Sequence, residues 1–374
     1  MQANNRIQIL DGLRVLAIFM VMLFHFYGKY QGVYYQYPFD PPHIFMYGNL
    51  GVQLFFIISG FVITLTLTKS KTFIEFIKKR LLRLIPGMMI CATLTYLIFN
   101  LFDTNNFHPP SSSIPNLLLS YTFISPAFMK ALFNVDFKYI DGAYWSLWVE
   151  LQFYVLAGLT YFFSPKNFLR NYSIVSLFGL SAHMLFMVGE EAYVAGLVGR
   201  SVYTHIHNGL DIFQLFKNNL WFLSGVVIYK MYYGKKNLSH LTFLLLIFVI
   251  QLGLLEDDNA RVIGIGIMSL FLLFLYNQKV IAFLASDVLS KIGVASYSIY
   301  LIHQFVGFLM INRLTPLFGS FNWMIAIISM GIFTVFGLLS YKYLEKPLGN
   351  QLRKVLFRGG RHQLIPEPAV STLP

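Results

Sequence analysis

Cysteine is almost missing from this chain: Cys91 is the one thiol in 374 residues. That excludes an intrachain disulfide and any cysteine-based metal cluster, and a thiol inside an apolar run packs as a small hydrophobe. Charge is scarce too. Asp, Glu, Lys and Arg make up 12% of the residues, against about a quarter in a soluble domain, so the chain cannot cover itself with charge. Acidic residues are the scarcer sign, 16 against 28 basic. The resulting net charge of +12 does not argue for nucleic acid, because the basic residues sit in short blocks between apolar runs, the topology signal of a membrane protein. Alternating strand patterns are lacking, against a membrane β-barrel. No Gly-x-Ser-x-Gly elbow, Walker-type phosphate loop or paired His–Glu zinc helix occurs, so common soluble-enzyme signatures are absent. No polar stretch reaches the ~50 residues of a second domain.

What is there is apolar: 56% hydrophobic and 17% aromatic residues, with mean hydropathy +0.61. The pattern predicts an all-α, polytopic membrane helix bundle. About ten spans are expected, at 9–27, 49–68, 87–102, 144–163, 172–189, 219–233, 239–255, 261–276, 293–312 and 322–344. Basic residues alternate between the connections. Lys69, Lys71, Lys78, Lys79, Arg80 and Arg83 fall in one; Lys166 and Arg170, then Lys230, Lys235 and Lys236, then Lys279 and Lys291 in others; and Lys346, Arg353, Lys354, Arg358 and Arg361 follow the last span. One of the poorer connections carries Glu256, Asp257 and Asp258. An even span count with both termini cytoplasmic fits this alternation. Residues 103–143 and 190–218 become the longer outer loops. Residues 1–349 form one transmembrane domain, and 350–374 a short cytoplasmic tail whose polar, Gly- and Pro-containing composition predicts disorder. The first apolar run lacks a small-residue cleavage site and reads as an uncleaved span.

That first run, Val15–Phe24, is flanked by Arg14 and His25, eleven positions apart. At ~100° and ~1.5 Å per residue they share one helix face and stand ~16 Å apart along it. Ionisable groups inside a span are costly and mark function by default; a snorkelling Arg with an interfacial His is the structural alternative. In Gly51–Phe61 (GVQLFFIISGF), Ser59 and Gly60 either pack against a neighbouring helix or line a narrow channel. Arg80 and Arg83, three apart before Pro86, share a face suited to phosphate, or form a basic stop-transfer block against lipid head groups. Pro86 predicts a break or a helix start. Glu150 lies in YWSLWVELQFY, about two turns into its span, where a carboxylate needs a partner or a wet cavity. His303 lies in SYSIYLIHQ near mid-membrane. Glu345, in YLEKP, reads as a helix terminus. His205, His207 and Asp211 are close in sequence but do not match a metal-ligand spacing, and no metal site is expected.

LDGLR with His25, GVQLFFIISGF, Arg80-x-x-Arg83-x-x-Pro86, YWSLWVELQFY, SYSIYLIHQ and YLEKP, in this order over residues 7–349, resemble the integral-membrane acyltransferase-3 family. The resemblance implies a helix bundle that passes an acyl group, usually acetyl, from acyl-CoA to a hydroxyl of a glycan across the membrane. The acceptor would be O-antigen or another surface polysaccharide, or a lipid-linked glycan, and the location a bacterial inner (cytoplasmic) membrane, with membrane lipids around the bundle. Many relatives carry an added extracytoplasmic hydrolase-like domain; its absence here points to a stand-alone branch. The Arg-x10-His pattern implies catalytic or donor-binding roles for Arg14 and His25. On that basis the phosphates of acyl-CoA are expected near Arg14, Arg80 and Arg83, with the thioester near His25. His25 would be a general base oriented by Glu150, or a nucleophile. Ser59 or His303 would donate to the oxyanion. A transporter or flippase of a lipid-linked glycan, or an acyltransferase acting on a macrolide or other small molecule, would use similar buried polar groups.

Overall fold

The computed structural model describes residues 7–255 and 257–357, and among them it is helical with no β-strand. α1 spans Gln8–Leu23 and continues into a π-helical turn, Phe24–Lys29. α2 (Gly51–Thr68) follows a 3-10 lead-in, His43–Leu50, and α3 spans Phe73–Phe102. Two short helices, α4 (Ile114–Ser120) and α5 (Pro126–Phe133), occupy the next connection. α6 (Trp145–Phe163) and α7 (Phe168–His183) come next, then α8 (Glu191–Val198) and α9 (Arg200–Ile212). α10 (Leu215–Tyr233), α11 (Leu238–Gly253) and α12 (Asp258–Tyr276) lead to the longest helix, α13 (Asp287–Phe318). α14 (Trp323–Ser340), a second π-helical turn (Tyr341–Glu345) and α15 (Lys346–Leu356) end the described chain.

Seven helical stretches, those containing α1, α2, α3, α7, α12, α13 and α14, are long and apolar enough to cross a membrane. The other three predicted spans also fall on helices. α11 has 16 residues, ~24 Å of rise against the ~30 Å of a hydrocarbon core. α6 interrupts its apolar pattern with Glu150 and Gln152, and α10 with Lys217, Asn218 and Asn219. α10 is enclosed on every side: residues 221–228 are buried without a gap, which an amphipathic surface helix never shows.

Close backbone approach explains the small residues of GVQLFFIISGF. A Cβ on Gly60 would stand 2.1 Å from the Phe222 carbonyl oxygen, and one on Gly225 2.0 Å from that of Ile57. α2 and α10 therefore cross through paired glycines, and Gly60 packs rather than lines a channel. The same device joins α1 to α13, where a Cβ on Gly293 would lie 2.2 Å from the Asp11 carbonyl oxygen.

Three expectations need correction. Pro86 neither breaks nor starts a helix: α3 runs through it as one 30-residue element. An interior proline costs about 3 kcal/mol, but packing holds the helix together: beside Pro86, the Tyr297 hydroxyl of α13 donates to the Leu84 carbonyl at 3.0 Å and ties this stretch of α3 to α13. At its start, the Thr72 hydroxyl accepts from the Glu75 N–H, and Glu75 takes the Lys71 N–H at 2.8 Å, a variant of the capping box. YLEKP is not a helix terminus, because α15 continues beyond it to Leu356. The predicted irregular tail thus begins helical; its remainder from residue 358, with Arg358 and Arg361, and Glu256 in the acidic connection, lie outside the described residues.

Candidate active site

His25 sits on the π-helical turn that extends α1. Such turns leave carbonyls without their usual α-helical donors. Two tyrosines of the following loop supply them: Tyr35 donates to the Phe26 carbonyl at 2.8 Å and Tyr37 to the same oxygen at 3.1 Å. The imidazole is 9% exposed and lies among Phe24, Tyr30 and Phe308.

Its partner is not Glu150. His25 Nδ1 lies 2.8 Å from Nε2 of His303, which is fully buried on α13. His303 Nδ1 in turn lies 2.8 Å from the Tyr300 carbonyl oxygen. A carbonyl only accepts, so His303 carries its proton on Nδ1, and a neutral His303 offers a lone pair at Nε2. His25 must then donate from Nδ1, which leaves the lone pair on its own Nε2. Among the described residues that atom has no hydrogen-bond partner, and it is not one of the sealed, unpartnered polar atoms of the interior. The pair therefore leaves one ring nitrogen of fixed tautomer, Nε2 of His25, with its lone pair unused.

Glu150 belongs to a second group. Its Oε1 accepts from Ser59 at 2.9 Å, joining α6 to α2. Both residues are half-buried. Tyr154, one turn on, faces both Glu150 and Arg80. Arg80 donates to the Tyr154 hydroxyl at 3.2 Å and stacks over its ring at 4.9 Å. Arg83 stacks over Tyr297 of α13 at 5.5 Å and faces Glu345. Glu345, 5% exposed, accepts from Ser298 and Ser340. Four predicted site residues, Ser59, Arg80, Arg83 and Glu150, are thus gathered around Tyr154 and Tyr297. Neither Ser59 nor His303 has a donor to spare for an oxyanion, since the Ser59 hydroxyl is committed to Glu150 and the His303 N–H to Tyr300.

Arg14 stands apart. It pairs with Asp11 at 2.7 Å, with side-chain exposures of 23% and 4%, and Asp11 also accepts from Ser290 of α13 at 3.3 Å. Asp11 and His25 both meet α13, at opposite stretches of it: Asp11 at Ser290 and His25 at His303.

α13 links the groups. Tyr297, Tyr300 and His303 recur every three residues, so Tyr297 and His303 stand ~9 Å apart on neighbouring turns. Between them, the Tyr300 hydroxyl lies 2.8 Å from Ser146, one turn before Glu150 on α6. Three residues outside the predicted set complete the frame. Asp141, fully buried, accepts from the Ala143 N–H at 2.9 Å and from the Phe305 N–H of α13 at 3.0 Å. Burial pushes its carboxyl up to about 7, with both N–H bonds opposing. His108, its ring 3.9 Å from that of Phe305, donates to Ser111, which donates to the Ile140 carbonyl. Burial lowers the His108 imidazole to about 4. These loop contacts hold the segment before α6 against α13. The periodic tyrosines of SYSIYLIHQ were the available signal; Asp141, in an irregular loop, offered none.

The model of the acyltransferase-3 family, described as an acyltransferase domain, matches residues 7–342. O-acetyltransferase OatA of Staphylococcus aureus (strain NCTC 8325) is 25% identical, over 91% of this chain and 56% of its own length. The O-acetyl transferase of Shigella phage Sf6 is 30% identical, over 40% of this chain and 44% of its own. The chain spans about half the length of the curated relatives it matches. No solved structure matches.

Proposed function

The chain belongs to the acyltransferase-3 family, and from that premise we propose that it moves an acetyl group from acetyl-CoA to a hydroxyl of a surface glycan, with His25 at the reacting centre. Membership makes it a membrane acyltransferase, and its relatives are named for O-acetyl transfer. The observation that carries the reading further is the His25–His303–Tyr300 chain of hydrogen bonds, which leaves Nε2 of His25 basic and unpartnered.

In this reading His25 Nε2 takes the proton of the acceptor hydroxyl as its oxygen attacks the thioester carbonyl. The C–O bond forms, the C–S bond breaks, and the departing thiolate takes the proton back. His303 holds the ring throughout, because the Nδ1–H of His25 keeps its acceptor in both protonation states. The same lone pair serves if the imidazole is acylated first. Acetyl-CoA enters from the cytoplasm of a bacterial cell. Its phosphates meet Arg80 and Arg83, whose guanidinium planes are held by Tyr154 and Tyr297, with Arg14 further out. Its slender arm follows α13 past Tyr300, and the glycan approaches from the other side of the membrane.

The test uses the full chain in lipid nanodiscs with radiolabelled acetyl-CoA and mildly de-esterified cell-surface polysaccharide of the host. Base-labile label in the polysaccharide is expected from the wild type and not from His25→Ala. Calorimetry should show acetyl-CoA binding to both. A His25→Ala chain that is folded and fully active would overturn the reading, and a wild type that binds no acetyl-CoA would favour a transporter.

A further inference from the structure

Beside the His25 ring lies that of Tyr30, whose hydroxyl meets Gln304, and both side chains have unused hydrogen-bonding capacity. Gln304 follows His303 on α13 and is 4% exposed. Its Nε2 donates to the Tyr30 hydroxyl at 3.3 Å. Its Oε1 accepts nothing among the described residues, yet is not one of the sealed unpartnered atoms. The Tyr30 hydroxyl accepts that one bond and makes no other among the described residues, so its proton is available. Tyr30 is half-buried, with its ring 5.8 Å from the His25 imidazole and 4.3 Å from Phe308. Tyr34 stacks on it at 5.3 Å and 23° and extends the aromatic wall.

The positions are enforced. A Cβ on Gly142 would stand 2.6 Å from Gln304 Nε2, so the loop backbone closes on the amide from one side. The adjacent Phe305 N–H is tied to Asp141 in the same loop.

We propose that Tyr30 and Gln304 form the acceptor subsite, holding a sugar ring by the hydroxyl groups beside the one that His25 deprotonates. Gln304 Oε1 accepts one neighbouring O–H, and Tyr30 donates to another ring oxygen. A ring with adjacent hydroxyls supplies a donor and an acceptor a few ångströms apart, and its C–H face suits the Tyr30–Tyr34 wall. The acetyl thioester group itself has no O–H or N–H to give Gln304; the first donor of its arm is the amide N–H two carbons beyond the sulfur. The assignment rests on the proposed transfer reaction and names the side of it that the arginines do not serve.

Initial rates of acetyl transfer in nanodiscs, with acetyl-CoA and the de-esterified polysaccharide varied in turn, test it. Tyr30→Phe and Gln304→Leu should each raise the half-saturating polysaccharide concentration about tenfold, the loss of one well-placed hydrogen bond, and leave that of acetyl-CoA within about twofold. Unchanged acetyl-CoA saturation also certifies that the variants fold. Polysaccharide saturation equal to wild type in both variants would overturn the subsite alone. So would a shift in acetyl-CoA saturation instead, which would put the pantetheine arm against these residues. A wild type that transfers no acetyl group would overturn the parent reading, and the subsite with it.

Discussion

The His25–His303 pair and the Arg80–Arg83–Glu150 group lie along one helix, about two turns apart on α13, and they spend their hydrogen bonds in different ways. In the first, every bond runs in one direction, from His25 through His303 to a backbone carbonyl, and a single lone pair is left over. In the second, the charged groups are half-buried and hold one another through tyrosines and a serine. Their planar cations stay oriented without being fully satisfied. The first arrangement suits a proton transfer, which needs one nitrogen in one tautomer. The second suits recognition of a large anion, which needs fixed forks and accessible charge.

Substitutions can break that contrast. His25→Ala should lower acetyl transfer about 10²–10⁴-fold, the range of a lost general base, with acetyl-CoA binding kept in calorimetry. His303→Leu removes the acceptor for Nδ1–H. Transfer should fall about 10–100-fold, as when a partner that orients a functional imidazole is removed, and the pH–rate profile should shift because the tautomer is no longer held. Arg80→Lys keeps the charge but loses the stacking over Tyr154. It should raise the half-saturating acetyl-CoA concentration about tenfold and leave the pH profile alone.

Glu150→Gln sharpens the comparison further. Its carboxylate bonds Ser59 and not His25, so the rate should drop only a few-fold and the pH optimum should stay. A loss as deep as that of His25→Ala, with a moved optimum, would merge the two regions into one. The smallest effect is on stability. Asp141 has its carboxyl raised to about 7 by burial. The folded chain therefore binds this proton more tightly than the unfolded one. The stability it contributes is complete below the ordinary carboxyl range and is lost as pH rises through about 7. Asp141→Asn should flatten that slope between pH 4 and 7 in thermal unfolding followed by tryptophan fluorescence, whatever its effect on the absolute melting temperature.

Much of the helical framework could be read from apolar run length alone, because every predicted span falls on a helix. The misreadings came from local rules that packing overrides. Pro86 reads as a boundary in any isolated segment, yet α3 continues through it, with Tyr297 serving a carbonyl beside it. Glu345 reads as a polar helix end, yet two serines from α13 and α14 bury it. Among the site residues, type was legible and partners were not. Glu150 and His25 sit at similar distances from their span ends, which made them plausible mates; α13 intervened with His303.

Composition and spacing by themselves determined that this is an all-helical membrane chain, and that Arg80 and Arg83 are near neighbours on one helix. These follow from the helix repeat and from the cost of ionisable groups in hydrocarbon, both properties of a single segment. Which imidazole meets which acceptor, where each ring proton sits, and what encloses Glu345 and Asp141 were decided only by helix packing. A hydrogen bond is directional within a few tenths of an ångström, and the crossings that set such distances, Gly60 on Gly225 and Gly293 on Asp11, join residues far apart in the chain.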